Sequence, residues 1–398
     1  MEDVMTPRER MLAAMRREIP DRVPVSPDIS NMVPARLTGR PFWDVYLYKQ
    51  PFLGDAYIEA IKLFGIDGWY IYDELKGGNA RLFSPDEPMA SLVMCGGMIP
   101  SRMFHNEIVE RTSARIVVRT EVDTPLGPLS KVDIYPVAEP PWPQGKWIKD
   151  IDRDWPRLRW LMGEDWEFDL TLPNRDRLGE LGVYSLMLFL PLDWWFHIRQ
   201  GGVEQVSYDL ADEPAKMREI LDFYTRFCMA ELEAYIQAGA DEVHLQGSAS
   251  SLSMTSLRFY VQYNLPYLQE VTAACKRAGL ISHQHTCGRS ARILEVNYAH
   301  PDVDVMEPLE GPPGGDVDMA EAKRRYGDRF CLKGNLNTFD LMLRGSPQDV
   351  EREARRLIDV AAAGGGFILS TGDQCARDTP FENIFKLVEV SRTYGRYR

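Results

Sequence analysis

Apolar and polar positions along the chain fall into two alternating periods. Short runs rich in β-branched and aromatic residues occur at Arg22–Pro27, Ile66–Asp73, Tyr184–Leu190, Asp241–Gln246, Leu280–Cys287, Val303–Glu307, Arg329–Asn335 and Gly366–Thr371. Between the later runs, Pro214–Ala238, Phe259–Ala278, Arg289–Tyr298 and Pro347–Ala363 repeat apolar residues at intervals of three and four, the spacing of a helix with one buried face. Eight strand signals with helices between them predict an α/β fold in which a parallel sheet closes as a TIM (β/α)8 barrel. An open doubly wound sheet is the alternative, but no Gly-x-Gly-x-x-Gly follows the first strand, so its dinucleotide-binding version lacks support.

The alternation is interrupted once, after the second strand. Residues 76–180 contain two stretches that alternate polar and apolar, Ala114–Asp123 and Leu129–Tyr135, joined through Thr-Pro-Leu-Gly-Pro, which predicts a β-hairpin. A Trp- and Pro-rich stretch follows. The expectation is one barrel domain over 1–398, carrying residues 76–180 as an inserted hairpin and loop subdomain.

Charge narrows the partners. With 46 Lys and Arg against 59 Asp and Glu, the net charge of −13 repels phosphate backbones and anionic lipid, so nucleic acid is not an expected partner. The first two dozen residues mix acids and bases, and no later stretch reaches the ~18 uninterrupted apolar residues of a membrane span. A cytoplasmic protein is expected. Its six cysteines are scattered without a secretory signal, a pattern of free thiols or metal ligands rather than of a disulfide framework.

The sharpest chemical signal is His283-Gln284-His285-Thr286-Cys287-Gly288 at the end of the fifth strand signal. Side chains alternate along a strand, so His283, His285 and Cys287 share a face. At the carboxyl end of a barrel strand this sets His285 and Cys287 at the active-site mouth and His283 one layer deeper. An imidazole and a thiolate two residues apart can grip one soft or borderline ion. Cys375, in the Gly-containing loop after the eighth strand signal, is the third ligand candidate. Glu307, at the end of Val303–Glu307, would complete a tetrahedron, with Glu310 as its rival. Nitrogen and sulfur donors make zinc the favoured ion, and Glu307 and His283 are the candidates for catalytic proton handling.

Several segments in this order resemble the uroporphyrinogen decarboxylase superfamily: Thr6–Ala14 with Pro20–Val25, His285-Thr286-Cys287-Gly288, Leu332-Lys333-Gly334-Asn335-Leu336-Asn337, and Asp378-Thr379-Pro380-Phe381-Glu382-Asn383. His-x-Cys with a later loop cysteine resembles the superfamily's zinc-dependent branch, which exchanges methyl groups with corrinoids, either from methylcobalamin to coenzyme M or from methoxylated aromatics to a corrinoid protein. The resemblance implies a TIM barrel and a corrinoid, or cobalamin, substrate. The chain has no Asp-x-His-x-x-Gly segment to supply a lower cobalt ligand, so the corrinoid is expected on a partner protein. Two departures stand out: the decarboxylases' Arg-x-x-Gly-Arg after the first strand is replaced by Ser26-Pro27-Asp28-Ile29-Ser30-Asn31, and Asp373 and Gln374 separate Gly372 from Cys375 where the methyltransferases have Gly-Cys.

Other strand ends supply Trp69, Tyr72, Asp73, Trp194, His197 and Gln246 as substrate-binding candidates. Aromatic rings would hold a flat aromatic substrate by stacking and edge contacts, worth about 0.5–1.5 kcal/mol per good pair beyond area burial, whereas a small anionic thiol would want paired Arg or Lys. The expected activity is zinc-dependent methyl transfer between a methoxylated aromatic and a corrinoid protein. A methylcobalamin:thiol methyltransferase is the first alternative. A decarboxylase, which would need arginines such as Arg36, Arg40 and Arg289 at the mouth, is the second.

Overall fold

Seven of the eight strand signals form one parallel sheet in a computed structural model that describes residues 3–94, 96–248, 251–300 and 302–397; Cys95 lies outside them. The strands are β1 (Gly68–Tyr70), β2 (Gly182–Phe189), β3 (Glu242–Gln246), β4 (Ile281–His285), β5 (Val305–Glu307), β6 (Cys331–Leu336) and β7 (Phe367–Thr371), and each pairs with the next in that order. The remaining signal closes the barrel without forming a regular strand. Ser26 N–H donates to Leu369 (2.9 Å) and Leu369 N–H to Pro24 (2.9 Å) on one side, while Asp67 N–H donates to Val25 (2.9 Å) on the other. Pro24 and Pro27 lack N–H donors, so this segment cannot extend its ladder.

Two ion-paired arginines lock that closure. Asp67, fully buried, accepts from Arg10 (2.6 Å), from Arg22 (2.8 Å) and from the Val25 amide (2.8 Å). Beside it, the helix Pro7–Met15 starts with a capping box between Thr6 and Glu9 and packs Met11, Leu12, Ala14 and Met15 against Trp69, Val183, Ile281, Val305, Cys331 and Ile368. These last six come from every strand but β3, which contributes the buried Glu242 at this level, and they fill the lower interior of the barrel.

The helical signals hold with one correction. Pro214–Ala238 is helical over its whole expected length, begun by a proline that needs no N–H partner and ended by Gly239 at φ 78°. Phe259–Ala278 is instead two helices, Leu257–Tyr263 and Leu265–Ala278, because Asn264 leaves the first and Pro266 starts the second.

Between β1 and β2 the expected hairpin is the centre of a four-stranded antiparallel sheet, Phe104–Arg111, Arg115–Val122, Leu129–Pro136 and Trp142–Gly145. A second core, built on Trp155, Trp194, Trp195, Phe223, Tyr224 and Phe227, joins this insertion to the helices after β2. No helix among the described residues is long and apolar enough to cross a membrane.

Candidate functional site

The register of the parallel strands assembles the site. Gln246 pairs with His285 and His285 with Glu307, so three polar side chains from β3, β4 and β5 stand at one level, with His244 and His283 paired one level below. Above the strands lies a cavity of about 1420 Å³, lined among others by Trp69, Tyr72, Asp73, His197, His244, Gln246, His285, Cys287, Glu310 and Asp373.

Glu307 organises the floor of this cavity. Its Oε1 accepts from His285 Nδ1 at 2.9 Å and lies 3.9 Å from His244 Nδ1, while its Oε2 pairs with the Lys333 ammonium and lies 3.4 Å from His283 Nε2. His283 in turn reaches Glu242 at 3.2 Å, and Lys333 sits 3.5 Å from the centre of the Trp69 ring. Burial by itself would raise the Glu307 pKa, but Lys333, His283 and His285 outweigh it and hold the carboxyl well below the usual range. Burial likewise lowers the His285 pKa, and its hydrogen bonds to Cys287 and Glu307 more than reverse that. For His244 burial outweighs the opposing pull of Glu307 and of its bond to Gln246 and holds the pKa well below its ordinary value, and its Nδ1 carries no hydrogen bond.

His285 Nδ1 faces Glu307, and the same imidazole also hydrogen-bonds the Cys287 side chain. Cys287 then turns away from the barrel through Gly288, at φ 78°, whose amide donates to the Glu310 carboxylate. An L side chain at that φ would be strained and its Cβ would meet Ser253 Oγ at 2.4 Å. Two ligand sets result, each with donor atoms within 4.8 Å of one another: His244, His285 and Glu307 on the floor, and Cys287, Glu310 and Asp373 at the mouth. The mixture of thiolate, imidazole and carboxylate suits a zinc-type ion.

The expected site residues separate into those that meet here and those that do not. His285, Cys287, Trp69, Tyr72, Asp73, His197 and Gln246 line the cavity. His283 is fully buried behind it, and Glu307 serves the floor as the acceptor for His285. Cys375 stands apart from both ligand sets: it is 1% exposed, its amide is tied to the Asp28 carbonyl at 2.8 Å, its thiol meets Thr371, and burial pushes its pKa up, away from thiolate. Trp194 is also displaced from its expected role. It is fully buried and stacks on Tyr224, 4.1 Å apart and 7° from parallel, inside the second core. The run Leu192–His197 lies at a strand end but forms the helix Pro191–Ile198, in which Trp194 packs into that core while His197, one turn further on, lines the cavity.

Sequence reasoning passed over Asp373 and Glu242, and left Lys333 as either a pocket group or the partner of an acidic neighbour. For Asp373 a signal was present, since it directly follows Gly372. For Glu242 there was none, and for Lys333 the pairing was open but not its partner Glu307, because an acid or a lysine in an otherwise apolar run does not reveal its partner across the barrel.

A family model described as Uroporphyrinogen decarboxylase (URO-D) matches residues 191–394, just over half of the chain. The chain belongs to this family. Within it, the relatives include both chemistries: methylcobamide:CoM methyltransferase MtbA of Methanosarcina acetivorans, 27% identical over 217 residues (54% of this chain, 57% of the relative), and uroporphyrinogen decarboxylase of Coxiella burnetii, 29% identical over 191 residues (47% and 50%). The aligned stretch spans about half the length of these curated relatives. Over the whole chain, the fold of this family member matches a solved methyltransferase from Methanosarcina mazei, with a TM-score of 0.66 at 17% identity, covering 98% of this chain and 99% of the other.

Proposed function

We propose that the chain is a zinc-dependent methyltransferase that moves a methyl group between a small uncharged substrate, a methoxylated aromatic being favoured, and a corrinoid carried by a partner protein. The observation that carries this reading is the His285–Cys287 pair at the mouth of an aromatic-walled, acidic cavity. When bound there, a zinc ion would supply Lewis acidity toward an ether oxygen, or hold a thiol as thiolate. The protein's own residues prepare the rest. Glu307 fixes the His285 ring through Nδ1, which would leave Nε2 to the ion once Cys287 binds it as well, an arrangement that also raises ligand basicity. Trp69, Tyr72 and Phe189 offer faces and edges to a flat substrate.

The charge of the cavity weighs against both alternatives. Ten of its lining residues carry carboxyl groups, whereas three are Lys or Arg, and two of those three, Arg352 and Arg356, are paired with Asp349 and Glu353. Neither an anionic thiol nor a polycarboxylate finds a free cationic cluster there among the described residues. Arg36, Arg40 and Arg289 do not line the cavity; Arg36 is spent on the Arg377 and Thr379 carbonyls and on the ring of Phe381.

The test is a spectroscopic assay of cob(I)alamin methylation with methoxylated aromatics, run beside methylcobalamin demethylation by thiols and quantification of bound zinc. Turnover of an aryl methyl ether with about one zinc per chain supports the proposal. Turnover with an anionic thiol alone would refute the substrate class, and a zinc-free protein whose activity survives Cys287→Ser would refute the whole reading.

A further inference from the structure

We infer that Asp373, and not Cys375, completes the metal centre, so that the ion is held by one thiolate, one imidazole and two carboxylates: Cys287, His285, Asp373 and Glu310. This inference rests on the metal-dependent reading above and changes the chemical character of that site.

Three observations lead to it. The donor atoms of Cys287, Glu310 and Asp373 already lie within 4.8 Å of one another. Ligands about 2.0–2.3 Å from a tetrahedral ion stand roughly 3.3–3.8 Å apart, so ordinary side-chain adjustment closes this trio, and His285, though grouped with His244 and Glu307, reaches the same cysteine through a hydrogen bond. Cys375 is held elsewhere: its buried thiol meets Thr371, its amide bonds Asp28, and it does not line the cavity. Finally, the floor set of His244, His285 and Glu307 is a poor rival. Both Glu307 oxygens are committed, and the Lys333 ammonium on one of them would oppose a second positive charge.

Exchanging a thiolate for a carboxylate leaves the formal charge of the ligand set unchanged but makes it harder. Thiolates select soft ions and donate more electron density, whereas carboxylates suit harder ones. A centre with one sulfur is therefore the better acceptor for an oxygen of the substrate than for a sulfur, which agrees with an aryl ether and disfavours a thiol.

The experiment loads the full-length protein with Zn²⁺ or Co²⁺, counts sulfur neighbours by X-ray absorption at the zinc edge, and follows the thiolate-to-cobalt charge-transfer band. One sulfur is expected, with the band abolished in Cys287→Ser and intact in Cys375→Ser, and with ion affinity at least about tenfold weaker in Asp373→Ala. Two sulfurs on the wild-type zinc, or a band roughly halved by Cys375→Ser, would overturn the assignment of Asp373 and leave the metal-dependent reading standing. If the wild-type protein takes up neither ion, both fall. The sulfur count needs no variant, so it decides even if Cys375→Ser fails to fold.

Discussion

Replacing Lys333 by methionine tests whether the floor of the cavity is a buried charge network. Lys333 is fully buried, pairs with Glu307 and sits over the Trp69 ring at 3.5 Å. Methionine keeps most of the volume but strands the Glu307 carboxylate, 2% exposed, without its strongest cation. Breaking a buried pair by removing one partner costs about 3–5 kcal/mol, and a desolvated cation over an aromatic face adds to the loss, being worth about 2 kcal/mol by itself. Because His283 and His285 still face Glu307, we expect less than the full sum, about 3–5 kcal/mol, from urea denaturation at pH 7. The deficit should depend on pH. A depressed carboxyl pKa contributes stability that is present above the ordinary value of about 4.3 and is lost as pH falls through the lower folded value. Lys333→Met raises the folded pKa of Glu307, so the gap between wild type and variant is widest at neutral pH and narrows as the solution is acidified below the ordinary carboxylate range. A loss under about 1 kcal/mol, or one that does not narrow as the pH is taken well below 4, would refute the network.

Two further outcomes follow from the site. Glu307→Gln keeps the shape but removes the charge behind His285, and should weaken zinc binding by about 10–100-fold in a competitive chelator titration; unchanged affinity would mean that Glu307 does not tune the ligand. Trp194→Ala should cost about 3–5 kcal/mol of stability while leaving KM for the methyl donor unchanged at temperatures where the variant stays folded, and a raised KM would return Trp194 to the pocket.

Much of the barrel was legible in the chain because strand and helix periods are local properties. Seven runs of apolar, β-branched residues became strands within a few residues of their expected ends. Arg22–Pro27 did not, since its two prolines deny it a ladder, yet it still closes the circle, Val25 accepting from the Asp67 amide and its neighbours Pro24 and Ser26 bonding Leu369. The split at Asn264 was hidden because the apolar spacing continues across it, although Pro266 marked the place. In the site, the alternation of His283, His285 and Cys287 on one strand face was enough to place two residues at the mouth and one beneath.

The sequence by itself determined the α/β barrel, the strand that carries the His-x-Cys pair and the acidity of the whole chain. Only the tertiary structure decided which carboxylates meet that pair, that Cys375 is tied to Asp28 and Thr371 while Asp373 faces Cys287, and that Lys333 and Glu307 neutralise each other under the cavity. The reason is physical: periodicity is set by neighbours along the chain, whereas a partner across a barrel is set by register and loop path, which place residues far apart in sequence within hydrogen-bond reach.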